Sequence, residues 1–137
     1  MMQDKQVIVA IIENGSKILL RKKPNGSPPY KETWYLLGTE AVVGEDINKT
    51  ITNYLKNEVG IEVELVREIG KDEEIKQDHD GKTKRFIYTD ILWKYKNGEP
   101  ILPMGTEKIE WVEKEKLKSY DLVPPSVALF KKIGYII

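Results

Sequence analysis

The stretch that decides the fold is GTEAVVGEDINKTITNYLKNEVGI, residues 38–61, in which a glycine-flanked loop leads into an apolar-striped segment. Asp46 is suited to the N-cap of a helix, because its carboxylate can accept hydrogen bonds from free backbone N–H groups. After it, apolar side chains recur at steps of four, three, one and four residues: Ile47, Ile51, Tyr54, Leu55 and Val59. This spacing predicts one amphipathic helix that begins after Asp46 and ends at Gly60.

Strands are predicted on both sides of this helix. β-branched and apolar runs flank the turn dipeptide Asn14-Gly15, which is typical of a hairpin with strands at residues 7–12 and 17–21. A Pro- and Gly-rich loop at residues 24–33 leads into a short apolar piece at 34–37. The remaining predicted strands are residues 61–69, 73–77, 84–95 and 109–112, and the remaining predicted helices are residues 113–118 and 127–133. The order indicates a mixed sheet with helices on its faces.

Composition limits the class of protein. A length of 137 residues suits a single domain, residues 1–137, and no internal repeat or linker divides it. The 22 basic and 22 acidic residues cancel, so the chain lacks the positive field that nucleic-acid binding needs. The absence of cysteine excludes thiolate nucleophiles and Cys-based metal sites. No segment is typical of a signal peptide or a membrane span, so we expect no membrane partner and a cytoplasmic location.

The opening stretch resembles the sequence box of the Nudix hydrolases, G-x5-E-x7-R-E-U-x-E-E-x-G-U, where U is a bulky apolar residue. With the first position at Thr39, the positions that match without a gap are Glu45, Leu55, Glu58, Gly60 and Ile61. Four positions differ from the box: Thr39 stands in place of a glycine, Asn53 in place of an arginine, and Tyr54 and Asn57 in place of two glutamates. Family-like segments also lie outside the box: KILLRKK at 17–23, WYLLG at 34–38 and EKIEWVEKEKL at 107–117. The resemblance implies a Nudix-like α/β/α sandwich with a mixed β-sheet.

The chemistry of such a box depends on carboxylates. Hydrolysis of a phosphoanhydride brings water to a phosphorus shielded by negative oxygens, and divalent cations neutralise that charge. Residues three and four apart on a helix share one face, so positions 54, 57 and 58 can present three side chains to shared Mg²⁺ ions. Here that face carries Tyr54, Asn57 and Glu58. A phenol and an amide are poor substitutes for two carboxylates at neutral pH.

The resemblance implies a Mg²⁺-dependent hydrolase, with Mn²⁺ as an alternative ion, that acts on a nucleoside diphosphate linked to another group. It assigns Gly38, Glu45 and Glu58 to the metal, and Glu58 with Glu107 to catalysis. Glu110 is the alternative to Glu107. Because two glutamates of the box are missing, we expect weak metal binding and slow activity. The alternative function is a catalytically inactive Nudix-fold module that binds a nucleotide or another protein.

Three further residues are assigned to substrate binding, and each has an ordinary structural interpretation. Arg21 is suited to a phosphate, or else it belongs to an exposed strand end. Trp34, after the Pro-rich loop, is suited to flanking a base with Tyr35, or else it is a core residue. Tyr54 is suited to a hydroxyl contact with a ligand, although it lies in the apolar stripe.

Other carboxylates have ordinary interpretations as well. Glu45 and Glu58 could simply be acidic residues of a solvated helix. Asp78-His79-Asp80 looks like a metal triplet, but adjacent hairpin residues point in different directions, so a solvated loop is expected. Finally, the long apolar segment at residues 85–95 permits a homodimer through strand pairing.

Overall fold

The computed structural model describes residues 2–24 and 30–136, which contain seven strands and two α-helices. The strands are β1 Gln3–Asn14, β2 Lys17–Lys22, β3 Trp34–Tyr35, β4 Leu37–Glu40, β5 Glu62–Gln77, β6 Thr83–Asn97 and β7 Lys108–Glu113. The helical elements are α1 Ile47–Tyr54, a π-helical turn Leu55–Val59, a 3-10 helix Lys114–Ser119 and α2 Pro124–Lys132. The predicted loop at residues 24–33 falls partly outside the described residues.

The strands form one mixed sheet with the order β3-β2-β1-β6-β5, and β4 and β7 pair with β1 and β2 respectively. The predicted hairpin is present but short, since β1 and β2 pair only at Glu13 with Ile18 and at Asn14 with Lys17. Before that point β1 leaves β2 and pairs with β4, while β2 pairs with β7. β1 also runs parallel to β6 along most of its length. The predicted mixed sheet is confirmed.

Each face of the sheet is covered by one α-helix, because apolar side chains alternate along the central strand. Ile8, Ala10 and Ile12 of β1 are buried on the side of α1. Ile11, between them, is buried on the opposite side with α2. Burying one such side chain completely stabilises the fold by roughly 1.5–3 kcal/mol. The two apolar clusters make the molecule an α/β/α sandwich, as the sequence predicts.

The predicted helix forms, but it changes its winding part-way. α1 ends at Tyr54 and continues as the π-helical turn, and Gly60 closes it in a left-handed conformation with φ +79°. Asp46 occupies the N-cap position without a side-chain capping bond. The buried residues are those of the predicted stripe, among them Ile51, Leu55 and Val59. The helix therefore packs by its apolar face without the predicted cap.

The structure bears on three other predictions. The strands predicted at 61–69 and 73–77 are one strand, β5, which passes through Gly70 with register shifts at residues 62–63, 65–67 and 68–70. The short helix predicted at 113–118 is present as a 3-10 helix, Lys114–Ser119. β6 lies between β1 and β5, so its segment 85–95 offers no free edge for the strand-paired homodimer. None of the helices within residues 2–24 and 30–136 is long and apolar enough to cross a membrane.

Candidate ligand cleft and the Arg21–Tyr54 contact

An open cleft of about 980 Å³ lies between the sheet and the start of α2 and extends to Arg21 and Tyr35, which point to the α1 side of the sheet. Its lining comes from β1, β4, β5, β6 and the first two turns of α2, with single residues of β2 and β3. Tyr30, Tyr35, Phe86 and Tyr88 supply aromatic surface, and Phe86 and Tyr88 are stacked at 6.2 Å between ring centroids. Clefts of this volume with aromatic walls and a few polar groups are typical of small-molecule sites.

Arg21 lines this cleft from β2 and is only 9% exposed. Its Nη1 donates a hydrogen bond to the Tyr54 hydroxyl at 3.0 Å, and its Nη2 donates to the Met104 carbonyl at 3.4 Å. The guanidinium also stacks over the Tyr35 ring, 4.6 Å from the centroid. Nε is buried and has no partner among the described residues. Arg21 is therefore not the exposed strand end that was one of its two sequence interpretations.

Tyr54 faces inward from the last turn of α1, unlike Asn57 and Glu58 on the same helix face. Burial raises the pKa of the Tyr54 phenol, and the nearby Arg21 guanidinium only partly opposes this, so the hydroxyl stays protonated at neutral pH. Asn57 and Glu58 are exposed. Glu58 is close enough for its charge to act on Tyr54. The face that carries three carboxylates in the box of the family thus presents a phenol bound to an arginine.

The residues present do not fit a preassembled cluster of divalent ions. Across residues 2–24 and 30–136, no group of three acidic or histidine side chains could hold one metal ion. The exposed Glu45 accepts a hydrogen bond from the Thr50 hydroxyl at 2.5 Å. Gly38 lines the cleft, where a Cβ would lie 2.7 Å from the Ile8 carbonyl oxygen, so only glycine lets β4 approach β1 this closely. Glu45, Glu58 and Gly38 together therefore do not form a built metal site.

The two glutamates considered for catalysis, one just before β7 and one within it, both have other partners. Glu107 is exposed and pairs with Lys22 at 3.0 Å. Glu110 accepts a hydrogen bond from the Tyr120 hydroxyl at 2.9 Å. Glu110 pairs with Leu20 in the β2–β7 ladder, and paired residues share one face of a sheet. Because Leu20 and Arg21 are adjacent and point to opposite faces, Glu110 points away from the face of Arg21. Neither glutamate lines the cleft.

Trp34 and Tyr35 take different places, although they adjoin in β3. Trp34 packs edge-on against Tyr120, with the ring centroids 5.0 Å apart, in the apolar cluster on the α2 side. Tyr35 lines the cleft and supports Arg21. Of the two aromatic side chains considered for base contact, Tyr35 is the one that the structure brings to Arg21.

Lys76 is a cleft residue that the sequence did not indicate. Its Nζ donates hydrogen bonds to the hydroxyls of Tyr30 at 2.7 Å and Tyr88 at 2.6 Å, and it lies 4.2 Å from the Phe86 centroid. Burial lowers the pKa of Lys76 to about 8, although Glu74 acts in the opposite direction. Strand alternation could have placed Lys76 and Glu74 on one face, but nothing in the sequence indicated which face closes over the cleft.

Asp78 is not part of a solvated loop as predicted. It is 6% exposed and forms ion pairs with Lys5 at 3.0 Å and Lys84 at 2.8 Å. Burial acts to raise the pKa of Asp78, but hydrogen bonds from Lys84, the His79 backbone and Lys5 outweigh it and hold the pKa well below its usual range. The prediction failed because Lys5 is 73 residues away in the sequence and Lys84 lies on the far side of the Asp80-Gly81 turn.

Asp90 is the second carboxylate that sequence reasoning missed. It lines the cleft from the middle of β6, is 2% exposed, and its Oδ2 is buried without a partner among the described residues. Burial, together with the neighbouring Asp72 carboxyl, raises the pKa of Asp90 to about 8. A signal existed, since Asp90 interrupts the apolar run FIYTDILW at residues 86–93.

Comparison with known families decides the assignment. The sequence model of the NUDIX domain matches residues 2–133, which is nearly the whole chain. The chain belongs to the NUDIX domain family. The NUDIX family model thus confirms the resemblance of the box at residues 38–61, despite its four altered positions. No curated protein sequence matches the chain.

Solved structures with this NUDIX fold are similar over almost their full length. A MutT NUDIX hydrolase from Burkholderia pseudomallei has 21% identity and a TM-score of 0.78, covering 96% of this chain and 98% of that one. A NUDIX hydrolase from Nitrosomonas europaea has 13% identity and a TM-score of 0.76, covering 96% and 89%. The NUDIX domain of Shewanella oneidensis NrtR, solved with ADP ribose, has 12% identity and a TM-score of 0.71, covering 98% and 87%. At these identities the likeness shows the fold.

Proposed function

We propose that this chain is a NUDIX-type hydrolase that binds a nucleotide-like diphosphate in the cleft and breaks its phosphoanhydride link slowly. The observation that carries the proposal is the position of the buried Arg21 guanidinium at a cleft with aromatic walls. A guanidinium suits phosphate oxygens because it offers several N–H donors in one plane. The aromatic side chains suit a base or another planar group.

The expectation of slow turnover depends on the helix that follows the box. Tyr54 and Asn57 stand at two positions where the family carries glutamates, and Glu58 is exposed beside them. Without a built carboxylate cluster, little in the described residues prepares a water molecule for attack. Binding and orientation of the diphosphate are the contributions that the chain itself retains.

A phosphate-release screen with Mg²⁺ or Mn²⁺ tests the proposal. The substrates are nucleotide sugars, dinucleoside polyphosphates, ADP-ribose and nucleoside triphosphates. We expect slow release from at least one of them, and we expect Glu58→Gln to abolish it. Glu62→Gln, which removes an exposed carboxylate just beyond the helix, is the matched control and should leave the rate unchanged. Release that is equally fast in Glu58→Gln would contradict the assigned role of Glu58.

A second candidate is a NUDIX module that binds a nucleotide and does not hydrolyse it. The hydrogen bond between Arg21 and Tyr54 favours this candidate, because it occupies the helix face where the family assembles its metal ions. A nucleotide that raises the melting temperature, combined with no turnover of any substrate in the screen, would establish the second candidate over the first.

A further inference from the structure

We propose that the Arg21 guanidinium, oriented by the Tyr54 hydroxyl, supplies the positive charge that receives the diphosphate, so that this chain binds its nucleotide-like ligand without a divalent cation. This inference rests on the proposed function, since it assumes a diphosphate in the cleft. It reassigns the charge-neutralising role on the helix face from metal ions to a side chain of the protein.

The first support is the unbalanced charge of Arg21. The guanidinium is nine-tenths buried, yet none of the ion pairs formed within the described part of the chain includes it. A buried cation without a counter-ion is unfavourable, because the surrounding protein replaces water and supplies no opposite charge. An anion that enters the cleft beside Arg21 removes that penalty. The site is therefore prepared for a negatively charged ligand.

The second support is the hydrogen-bonding capacity that remains. An arginine has five N–H donors, and the protein acceptors found for Arg21 are the Tyr54 hydroxyl and the Met104 carbonyl. The buried Nε has no acceptor. Stacking on Tyr35 and the bond to Tyr54 fix the plane of the group, so a ligand oxygen meets donors that are already oriented.

The third support is the chemical nature of residue 54. A carboxylate at this position would pair with Arg21 and neutralise it, whereas the neutral phenol orients the guanidinium and leaves its charge available. The same charge repels a divalent ion from this part of the helix face. The residue that replaces a metal ligand at position 54 thus also leaves a permanent positive charge, that of Arg21, at this place.

Calorimetric titration with α,β-methylene-ADP, which resists cleavage at the bridging position, tests the inference. The titrations are done with the full chain in EDTA and then with Mg²⁺. We expect dissociation constants that agree within about threefold under the two conditions. Arg21→Ala should weaken binding roughly 10- to 100-fold in both, the range expected for loss of charge-assisted hydrogen bonds. Lys96→Ala, which removes an exposed charge outside the cleft, is the control and should have no effect.

Variants at Tyr54 separate a positioning role from a structural one. Tyr54→Phe keeps the ring and removes the hydroxyl. It should reduce the affinity gained by adding a diphosphate to adenosine, while the affinity for adenosine itself stays the same. Tyr54→Glu should weaken binding in EDTA, because the new carboxylate competes for Arg21. Arg21→Lys retains charge without the planar group and should bind less tightly than the natural chain. This variant keeps the test valid if Arg21→Ala does not fold.

Two results would count against the inference in different ways. Binding that occurs only with Mg²⁺ would overturn metal independence and leave the proposed function standing. Failure to bind α,β-methylene-ADP, ADP-ribose or inorganic pyrophosphate under either condition would overturn the proposed function, and the inference with it.

Discussion

The phenol at position 54 alters the role of each side chain around it. It gives Arg21 an acceptor at 3.0 Å, and it removes the negative charge that the box of the family places there. Asn57 adds an amide oxygen without charge, and Glu58 remains the one carboxylate of the three positions. We therefore expect the residue at position 54 to affect both metal affinity and the charge balance of Arg21 on β2.

The double variant Tyr54→Glu with Asn57→Glu restores the missing carboxylates. We expect it to bind Mn²⁺ measurably in calorimetry and to raise the rate of phosphate release at least about tenfold, since positioned acid–base groups contribute roughly 10²–10⁴-fold to such steps. Adding Glu58→Gln to the double variant should remove the gain. A natural chain that already matches the rate of the double variant would show that these carboxylates are not limiting.

Asp90 predicts a pH-dependent stability. Its pKa is about 8 in the folded chain and near 4 in an unfolded one, so the folded state binds the proton more tightly. The free energy of unfolding should therefore fall as the pH rises from about 4 to 8, and stay level above that. Asp90→Asn should remove this dependence. The difference in the free energy of unfolding between the variant and the natural chain should therefore shift in favour of the variant by on the order of 3 kcal/mol between pH 5 and pH 8.

Thermal unfolding measured at several pH values checks this prediction. Asp46→Asn, at an exposed position without a side-chain capping bond, controls for the loss of one negative charge. Equal pH dependence in Asp90→Asn and the natural chain would mean that Asp90 is ionised in the fold.

At the scale of elements, the end of the π-helical turn and the end of β6 are locked together by two glycines. A Cβ on Gly98 would lie 2.2 Å from the Gly60 carbonyl oxygen and 2.9 Å from Ile61 Cα. Both glycines also have positive φ, at +104° and +79°. The helix that carries the box is therefore held in place through backbone contact with the β6 terminus.

Gly98→Ala should destabilise the fold by at least about 2 kcal/mol, because backbone atoms must move apart in addition to the strain of a positive φ. Gly105→Ala is the matched control: its φ is +79°, but a Cβ there meets nothing within 4 Å. We expect this control to cost only about 1 kcal/mol. Chemical denaturation of both variants measures the difference, and equal losses would contradict the importance of the close contact.

The elements show what the sequence could and could not predict. The stripe Ile51, Leu55 and Val59 gave the position of the helix, because apolar spacing determines which face is buried. It did not give the π-helical turn at Leu55–Val59. The merging of two predicted strands into β5 was missed because Gly70 looks like a break, although in the sheet it is a local irregularity.

The site was predictable only where a motif marked it. Arg21 and Tyr54 were singled out by the box and by a family-like strand before it, but their mutual hydrogen bond depends on how α1 packs on the sheet. Lys76 and Asp90 had no motif, and their importance follows from the closure of β5 and β6 around the cleft. Glu107 was assigned by the family resemblance, but it pairs with Lys22, and strand register turns its alternative Glu110 to the face opposite Arg21.

At the scale of the whole molecule, Asp78 connects the end of β5 to the starts of β1 and β6. Lys5 belongs to the start of β1, 73 residues away, and Lys84 to the start of β6. The ion pairs therefore fix the first strand to the β5–β6 hairpin at one rim of the cleft. Any homodimer would have to use another surface than β6, such as the outer edge of β5 within the described sheet.

Asp78→Asn should destabilise the fold by roughly 3 kcal/mol, because it leaves the partly buried Lys5 and Lys84 without their shared carboxylate. Asp80→Asn is the matched control, since Asp80 also contacts Lys84 but is 45% exposed, and its loss should destabilise the fold much less than the loss of Asp78. The stabilisation by Asp78 is present above pH 4 and lost as the pH falls through its lowered pKa. Melting temperatures from pH 2 to 7 check both statements, and similar losses in the two variants would refute the first.

The parallel pairing of β1 with β6 has a consequence for biosynthesis. The first strand leaves the ribosome early, but its central neighbour is not available until about residue 97 has been translated. Contacts so distant along the chain slow folding, and unpaired strands are exposed to aggregation while they wait. The nascent N-terminal third should therefore depend on chaperones, and its protection from protease should begin only once β6 has emerged.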